Sequence, residues 1–377
     1  MKISFIDTIK FDYDIDYPLN HPLGAGNSAI CYLAKELAKL GNDVTVFNSC
    51  SVPSVAHGVS VRNIEELQGP AEFLNGQDIA VVCSGAVGFN LRQSGVTVPM
   101  VLWTQHAVDQ PAMQALRDPR ERYAWTAFAY VSKWQKKLYE DVFGCPPDRG
   151  MILPNGVSTA FETVVHRYPW YVEGRPPVLF YTSTPFRGLQ TLLSAFPAIR
   201  RQTGASLRVY SSMKVYQKPD HEDDFGCLYE MCRLTDGIEY HGSLGQRELA
   251  GAIANADALA YPSTFAEGLC VAMLEAMAVG AEVFTTALGA LPESSGGHAC
   301  MIPVTEGLAH RFAEMVVKGI QECERDPDAA LKRRAKRVAY IADKFVWHKI
   351  AKEWNVWLET LASRRSTPTA VLKTASA

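Results

Sequence analysis

Short, wholly apolar runs of strand type recur along this chain, each trailed by a turn and most by a helical pattern, and they recur in two series. The first series is KISFID (2–7), VTVFN (44–48), DIAVVC (78–83) and MVLW (100–103), with helical patterns at 28–40, stopped by Gly41, and at 133–143. Strands apolar on both faces belong to parallel sheets covered by helices on both sides. The segment MILPNGV breaks the pattern at Pro154, Asn155 and Gly156, and a proline-bearing stretch, 165–177, precedes a new start. The second series has strands at 178–182, 206–210, 258–261 and 282–286 and helices at 190–202, 248–255 and 269–279. Two α/β series of similar size predict two doubly wound, Rossmann-like domains facing each other, with a ligand between the carboxyl ends of both sheets. The expected units are 1–164, 165–345, and 346–377, the last a helix striped with Trp347, Trp354 and Trp357 that ends in an aperiodic tail, 364–377.

Composition narrows the classes. At 377 residues, 47% hydrophobic and 20% charged, the chain has the balance of a water-soluble globular protein. No stretch approaches the ~18 apolar residues of a spanning helix, and the first residues lack the layout of a signal peptide. Nine cysteines without a CxxC pair suggest neither a disulfide framework nor a zinc clip. A cytoplasmic location with reduced thiols is expected. The formal net charge of -3 does not imply a nucleic-acid partner.

The segment FAEGLCVAMLEAMAVG places Glu267 just before an expected helix start and Glu275 about two turns along it. The amides of Leu269, Cys270 and Val271, after Gly268, would present the positive end of the helix dipole to an anion, as a diphosphate requires. Carboxylates on either side can accept hydrogen bonds from hydroxyl groups. The same pattern also describes plain dipole compensation and a solvated helix face.

Several ordered segments together give the chain a resemblance to the retaining nucleotide-sugar glycosyltransferases of the GT-B fold, glycosyltransferase family four. They are GAGNSAICYLAKELAKLGNDVTVF (24–47), VSKWQKKLYEDVFG with MILPNGV, RGLQTLLSAF (187–196), YHGSLGQREL (240–249) and YPSTFAEGLCVAMLEAMAVGAEVFTT (261–286). The resemblance spans roughly 2–360 and implies a C-terminal helix that crosses back to the N-terminal domain. It also implies that Glu275 binds donor ribose hydroxyls, that Glu267 faces the transferred sugar, and that the diphosphate sits on the amides of 269–271. Arg187 would neutralise the leaving phosphate where the family usually has lysine. A second basic residue, often found five positions earlier in the family, is Thr182 here, so hydroxyls and backbone carry more of that task.

Gly24 and Gly26 precede a helix and allow close backbone approach to a phosphate or sugar. Their GAGNSA lettering imitates a dinucleotide fingerprint, but about sixteen residues separate it from the first strand and Asn48 stands where a ribose-binding acid is expected. His106 follows a strand and matches a family histidine that lines the donor-sugar pocket. Asn155–Gly156 reads as a ligand-near hinge pair or a plain turn. The acidic loop DYDID (12–16) reads as an acceptor-facing or solvated loop, since the resemblance implies no metal. Glu293 matches a family acid that is most often structural. Residues 331–377 hold eleven Lys and Arg against three Asp and Glu, which suits a solvated helix face or a weak peripheral membrane contact.

The expected activity is therefore metal-independent, retaining transfer of a hexose from a nucleotide diphosphate sugar, of UDP-glucose or UDP-N-acetylglucosamine type, to a saccharide or lipid-linked acceptor in glycan synthesis. No cofactor is expected beyond the donor itself. The alternatives are a nucleotide-sugar epimerase of the same fold and a Rossmann oxidoreductase. Catalysis is expected at Glu267, His106 and Arg187, and donor binding at Gly24, Gly26, Arg187, Gly268, Leu269, Cys270, Val271 and Glu275.

Overall fold

The computed structural model describes residues 1–164 and 167–363. The first sheet contains β1 (Lys2–Asp7), β2 (Asp43–Asn48), β3 (Ser54–Ala56), β4 (Val59–Asn63), β5 (Ile79–Cys83), β6 (Met100–Trp103), β7 (Ala127–Tyr130) and β8 (Gly150–Ile152). Their order is β3-β4-β2-β1-β5-β6-β7-β8, parallel except for the edge strand β3. The second sheet contains β9 (Val178–Thr182), β10 (Ser206–Tyr210), β11 (Ile238–Tyr240), β12 (Ala258–Tyr261), β13 (Glu282–Thr286) and β14 (Cys300–Ile302), in the fully parallel order β11-β10-β9-β12-β13-β14. Both sheets are doubly wound, and their strand orders reverse between β1 and β5 and between β9 and β12. Crevices at such switch points, beyond the carboxyl ends of the strands, are where α/β sheets hold ligands.

Alternation along the first sheet explains its layers. Ile3, Phe5, Val81, Val101, Trp103, Ala127 and Ala129 face one core, with helices α1 (Ala25–Lys39) and the C-terminal α8 (Trp347–Ser363). Ile6, Ala80, Val82, Leu102, Phe128 and Tyr130 face the opposite core, where α2 (Lys133–Phe143) contributes Tyr139 and Phe143. The small Ala127 and Ala129 leave room on the first face for Trp103, whose ring meets Trp354 of α8 at 5.0 Å. In α8, Trp347, Ile350, Ala351, Trp354, Leu358 and Leu361 form the buried stripe that seats it on the N-terminal half. The expected returning helix is therefore present, packed on α1.

The second sheet is flanked by α3 (Leu189–Thr203), α4 (Gln246–Ala254), α5 (Val271–Ala278), α6 (Leu308–Arg325) and α7 (Pro327–Lys344). The chain passes between the halves twice, side by side: Val157 N–H donates to Phe345 O at 2.8 Å. Gly156 is required there, since a Cβ would lie 2.9 Å from the Trp347 nitrogen.

Several elements escape periodicity. β3, β8, β11 and β14 have three residues each, too few to show a period of two, and β7 is half alanine. The 331–377 run is corrected in part: Arg337 is not on a solvated face but buried, donating to Glu282 at 2.6 Å and to the carbonyls of Gly280, Ala281 and His298. It ties α7 to the start of β13. The tail expected at 364–377 lies outside the described residues. No helix among the described residues is long and apolar enough to cross a membrane.

Candidate active site

β9 delivers Thr182 to the switch point of the second sheet, and a turn, Pro185–Arg187, carries the chain into the cleft. Gly188 then takes φ +116°, and a Cβ at that position would stand 2.2 Å from the Pro262 carbonyl oxygen. Only glycine permits this close approach, which aims Arg187 inward. Arg187 Nη1 donates to Glu267 Oε2 at 2.8 Å, and the Tyr261 hydroxyl donates to Glu267 Oε1 at 2.5 Å. Glu267 is 3% exposed. The guanidinium also lies 4.8 Å from the Phe265 ring centroid and 5.6 Å from that of Phe186. Burial alone would lower the Arg187 pKa, but the facing Glu267 carboxylate outweighs it and holds the group charged, with its pKa raised.

Glu275 lies on α5, only 4% exposed, and burial pushes its carboxyl pKa up to about 8. Its side chain meets that of Gln246 at the start of α4. The helix itself begins two residues later than the sequence suggests. Cys270 is the N-cap and Val271 the first helical residue, so the leading helical amides are those of Val271 and Ala272, while Leu269 and Cys270 belong to the approach loop. The N-cap has extended backbone, which is why a pattern of apolar residues overruns the true start.

Two cavities meet at this point. One is lined by Glu275, Val271, Ala272, Thr182, Thr184 and Gln246 among others. The buried hydroxyls of Thr182 and Thr184, Arg187 Nε and Gln246 Oε1 have no hydrogen-bond partner in the protein, so this cavity is walled by polar atoms that await one. The other cavity lies on the N-terminal side and includes Glu267, Gly268, Gly26 and His106. Gly24, Ala25, Arg187, Tyr216 and Leu269 line both and form the seam. The predicted residues therefore divide: Cys270, Val271 and Glu275 line the first cavity alone, Gly26, His106, Glu267 and Gly268 the second alone, and Gly24, Arg187 and Leu269 both.

His106 Nε2 sits 3.1 Å from the Ser84 carbonyl oxygen, and burial lowers its pKa, so the ring is neutral at pH 7. Ser84 itself has φ +68°, an uncommon conformation for serine at the switch point of the first sheet. Asn155, which lines the first cavity, donates from Nδ2 to Oε1 of Gln105 in the wall of the second at 2.7 Å. In the acidic loop, Asp16 is engaged by Lys35 and His57, both at 2.8 Å.

Three further contacts cross the cleft. Asp12 and Gln217 exchange hydrogen bonds, at 2.9 and 2.6 Å. Arg247 donates to Asn20 at 2.8 Å. Glu293 accepts from the amides of Lys133 and Trp134, at 2.9 and 3.0 Å, and so caps the start of α2 from the opposite half. Tyr261, Tyr216, Gln246 and Trp134 were not selected from sequence. Tyr261 does end a strand in the segment that carries Glu267, which is the signal that points to it.

Residues 175–321 match the family model described as glycosyl transferases group 1. A GDP-mannose-dependent alpha-(1-6)-phosphatidylinositol monomannoside mannosyltransferase of Mycobacterium tuberculosis is 26% identical over 241 residues, 59% of this chain and 58% of that protein. The putative colanic acid biosynthesis glycosyltransferase WcaL of Salmonella typhimurium is 25% identical over 249 residues, 61% of this chain and 59% of that one. The chain thus spans less than two thirds of the length of these curated relatives. Among solved structures, a sucrose-phosphate synthase from Thermosynechococcus elongatus superposes with TM-score 0.70 at 16% identity, covering 96% of this chain and 100% of the other. Anabaena HepE in complex with UDP-glucose gives 0.69 at 14% identity, covering 96% and 100%. The paired Rossmann-like sheets and the returning α8 are those of the GT-B fold. By residues 175–321 the chain is thus similar to the group 1 glycosyltransferases, and its fold is that of the solved GT-B enzymes.

Proposed function

We propose that the protein transfers a hexose from a nucleotide diphosphate sugar, with retention at the anomeric carbon, to an acceptor held in the second cavity. The observation that carries this reading is the Arg187–Glu267 pair where two cavities, each lined by residues of both halves, meet in the cleft. The donor's nucleotide occupies the first cavity, with Glu275 at the ribose and the diphosphate against the amides of Val271 and Ala272. As the bond from the anomeric carbon to phosphate oxygen breaks, its electron pair goes to the phosphate. Arg187, the amides and the hydroxyls of Thr182 and Thr184 meet that charge in a site largely shielded from water. The acceptor oxygen then bonds to the anomeric carbon and its proton passes to the departing phosphate.

Both oxygens of Glu267 are engaged, by Arg187 and Tyr261, which suits a carboxylate that stabilises positive charge on the sugar better than one that attacks it. His106, neutral, positions the sugar by hydrogen bonding. For the donor, the relatives diverge: the mycobacterial protein is GDP-mannose-dependent by its description, and Anabaena HepE is described with UDP-glucose. We propose a UDP-linked hexose, of glucose or N-acetylglucosamine type, and the test separates it from GDP-mannose. Thermal melting is recorded with UDP-glucose, UDP-N-acetylglucosamine and GDP-mannose, followed by nucleotide release with EDTA present. A bound nucleotide sugar raises the melting temperature. No shift with any nucleotide sugar, or release only with added divalent metal, defeats the reading.

A further inference from the structure

The chemistry of the second cavity's wall restricts what it can accept. Among the described residues that line it, only Arg187 and Glu267 carry full charge, and they neutralise each other at 2.8 Å. No lysine and no second arginine lines it, and the exposed Lys10 and Lys133 lie outside it. The helix start at its rim, the amides of Lys133 and Trp134, is already occupied by the Glu293 carboxylate. In the neighbouring cavity, Lys214 and Lys218 pair with Asp220 and Asp224 at 3.2 and 2.9 Å. With Arg187 engaged by Glu267 and, during transfer, by the donor's diphosphate, a second anion in this cavity would lose its hydration, find no further cation and face Glu267.

The remaining wall is of two kinds. Phe11, Trp134, Tyr216 and Phe265 supply flat rings, and Asn27, Gln105 and Gln110 supply amides; Asn27 donates to Asp7 at 2.6 Å and Gln105 pairs with Asn155 at 2.7 Å, whereas Gln110 Oε1 has no hydrogen-bond partner in the protein. Aromatic faces carry negative quadrupole charge and attract the polarised C–H face of a pyranose ring, while primary amides donate to and accept from hydroxyl groups. Trp134 stands half-buried at the first turn of α2, with Gln135 behind it fixed to the Val131 amide and the Thr104 carbonyl. Its backbone is therefore held, and its indole forms part of the cavity wall.

We propose that the acceptor is an uncharged saccharide whose ring stacks on Trp134 and whose hydroxyls are met first by the unpartnered Gln110 amide oxygen, rather than a sugar phosphate or a pyrophosphate-linked lipid. This deepens the reading under Proposed function, on which it rests for the role of the second cavity.

The test is direct binding of matched pairs, glucose against glucose 6-phosphate and mannose against mannose 6-phosphate, together with maltose and a polyprenyl pyrophosphate-linked sugar. Saturation-transfer NMR on the full chain, with and without saturating UDP or GDP, reads it. The neutral member of each pair binds at least roughly tenfold tighter, and Trp134→Ala weakens it by a similar factor while Trp134→Phe keeps most of the affinity. Nucleotide affinity and far-UV circular dichroism stay unchanged in both variants, which separates a lost stacking surface from a lost fold. Equal or tighter binding of the phosphorylated or pyrophosphate-linked partner overturns the proposal, as does no binding of any neutral sugar or indifference to Trp134→Ala. Failure of every nucleotide and nucleotide sugar to bind defeats the donor reading instead, and the sugar panel remains readable without them.

Discussion

Arg187 reaches across the mouth of β9 to Glu267 at 2.8 Å, and neither group has another ionic partner among the described residues. The pair is largely buried, and Glu267 holds the Arg187 guanidinium charged. Removing one therefore does two things at once, and the two can be measured apart.

Arg187→Ala removes the positive charge that meets the leaving phosphate and should cut kcat/KM by a factor worth about 2–4 kcal/mol. It also strands the Glu267 carboxylate and should lower stability by roughly 3 kcal/mol. Adding Glu267→Gln to Arg187→Ala should restore most of the stability and none of the activity, as read by chemical denaturation and nucleotide release. A single variant of full stability would show that the pair is solvated.

Glu267→Gln and Glu275→Gln should separate by kinetic parameter. The first keeps the shape of the seam but lowers its charge, so kcat falls while donor Kd changes little. The second alters the ribose end of the first cavity, so donor Kd rises more than kcat falls. Equal and negligible effects from both would contradict the assignment.

Glu275 also sets a pH dependence of stability. Its carboxyl pKa is raised to about 8 by burial, against 4.5 for an ordinary glutamate. Between those values the unfolded chain has released the proton that the folded one keeps, so stability falls as pH rises, until the folded carboxyl ionises too. Glu275→Gln cannot ionise and should gain stability over the native chain progressively from pH 5 to pH 8, with little difference below about pH 4. Melting temperatures across that range, without ligand, check it. A gap that is constant in pH would mean the carboxyl is ionised throughout.

Gly188 has φ +116° with a carbonyl oxygen 2.2 Å from where a Cβ would be. Gly188→Ala should cost roughly 3 kcal/mol or more and displace the Arg187 turn from β12. Activity should fall beyond what the unfolded fraction explains, measured at a temperature well below the new melting point.

Glu293 holds the start of α2 from across the cleft. Glu293→Ala releases two amides and should open the two halves, seen as a larger radius of gyration by small-angle scattering. A bound donor should reverse the change in part, because it bridges the same gap. Unchanged scattering would mean that the hydrogen bonds of Gln217 and Arg247 suffice to keep the cleft closed.

Much of this molecule was legible as local pattern. The strands Lys2–Asp7, Val178–Thr182 and Glu282–Thr286 and the helix Lys133–Phe143 stand where their apolar runs end, because an inner strand of a covered sheet must be apolar throughout and a turn must not be. The same logic places Glu267 and Glu275 on either side of a helix start. What periodicity could not reveal is partnership. Nothing near position 187 shows that its guanidinium faces Glu267, and nothing near 293 shows that its carboxylate caps a helix 160 residues earlier in the chain. Nor does the composition of LKRRAKR show that Arg337 turns inward to Glu282.

The order of apolar and turn residues, acting within a few positions of each other, determined the elements and hence the two-sheet class. Tertiary structure decided which charges are neutralised, which hydroxyls are left waiting, and which glycines open on which cavity. Those outcomes depend on distances between segments far apart in the chain, set only when both sheets and the returning helix have packed.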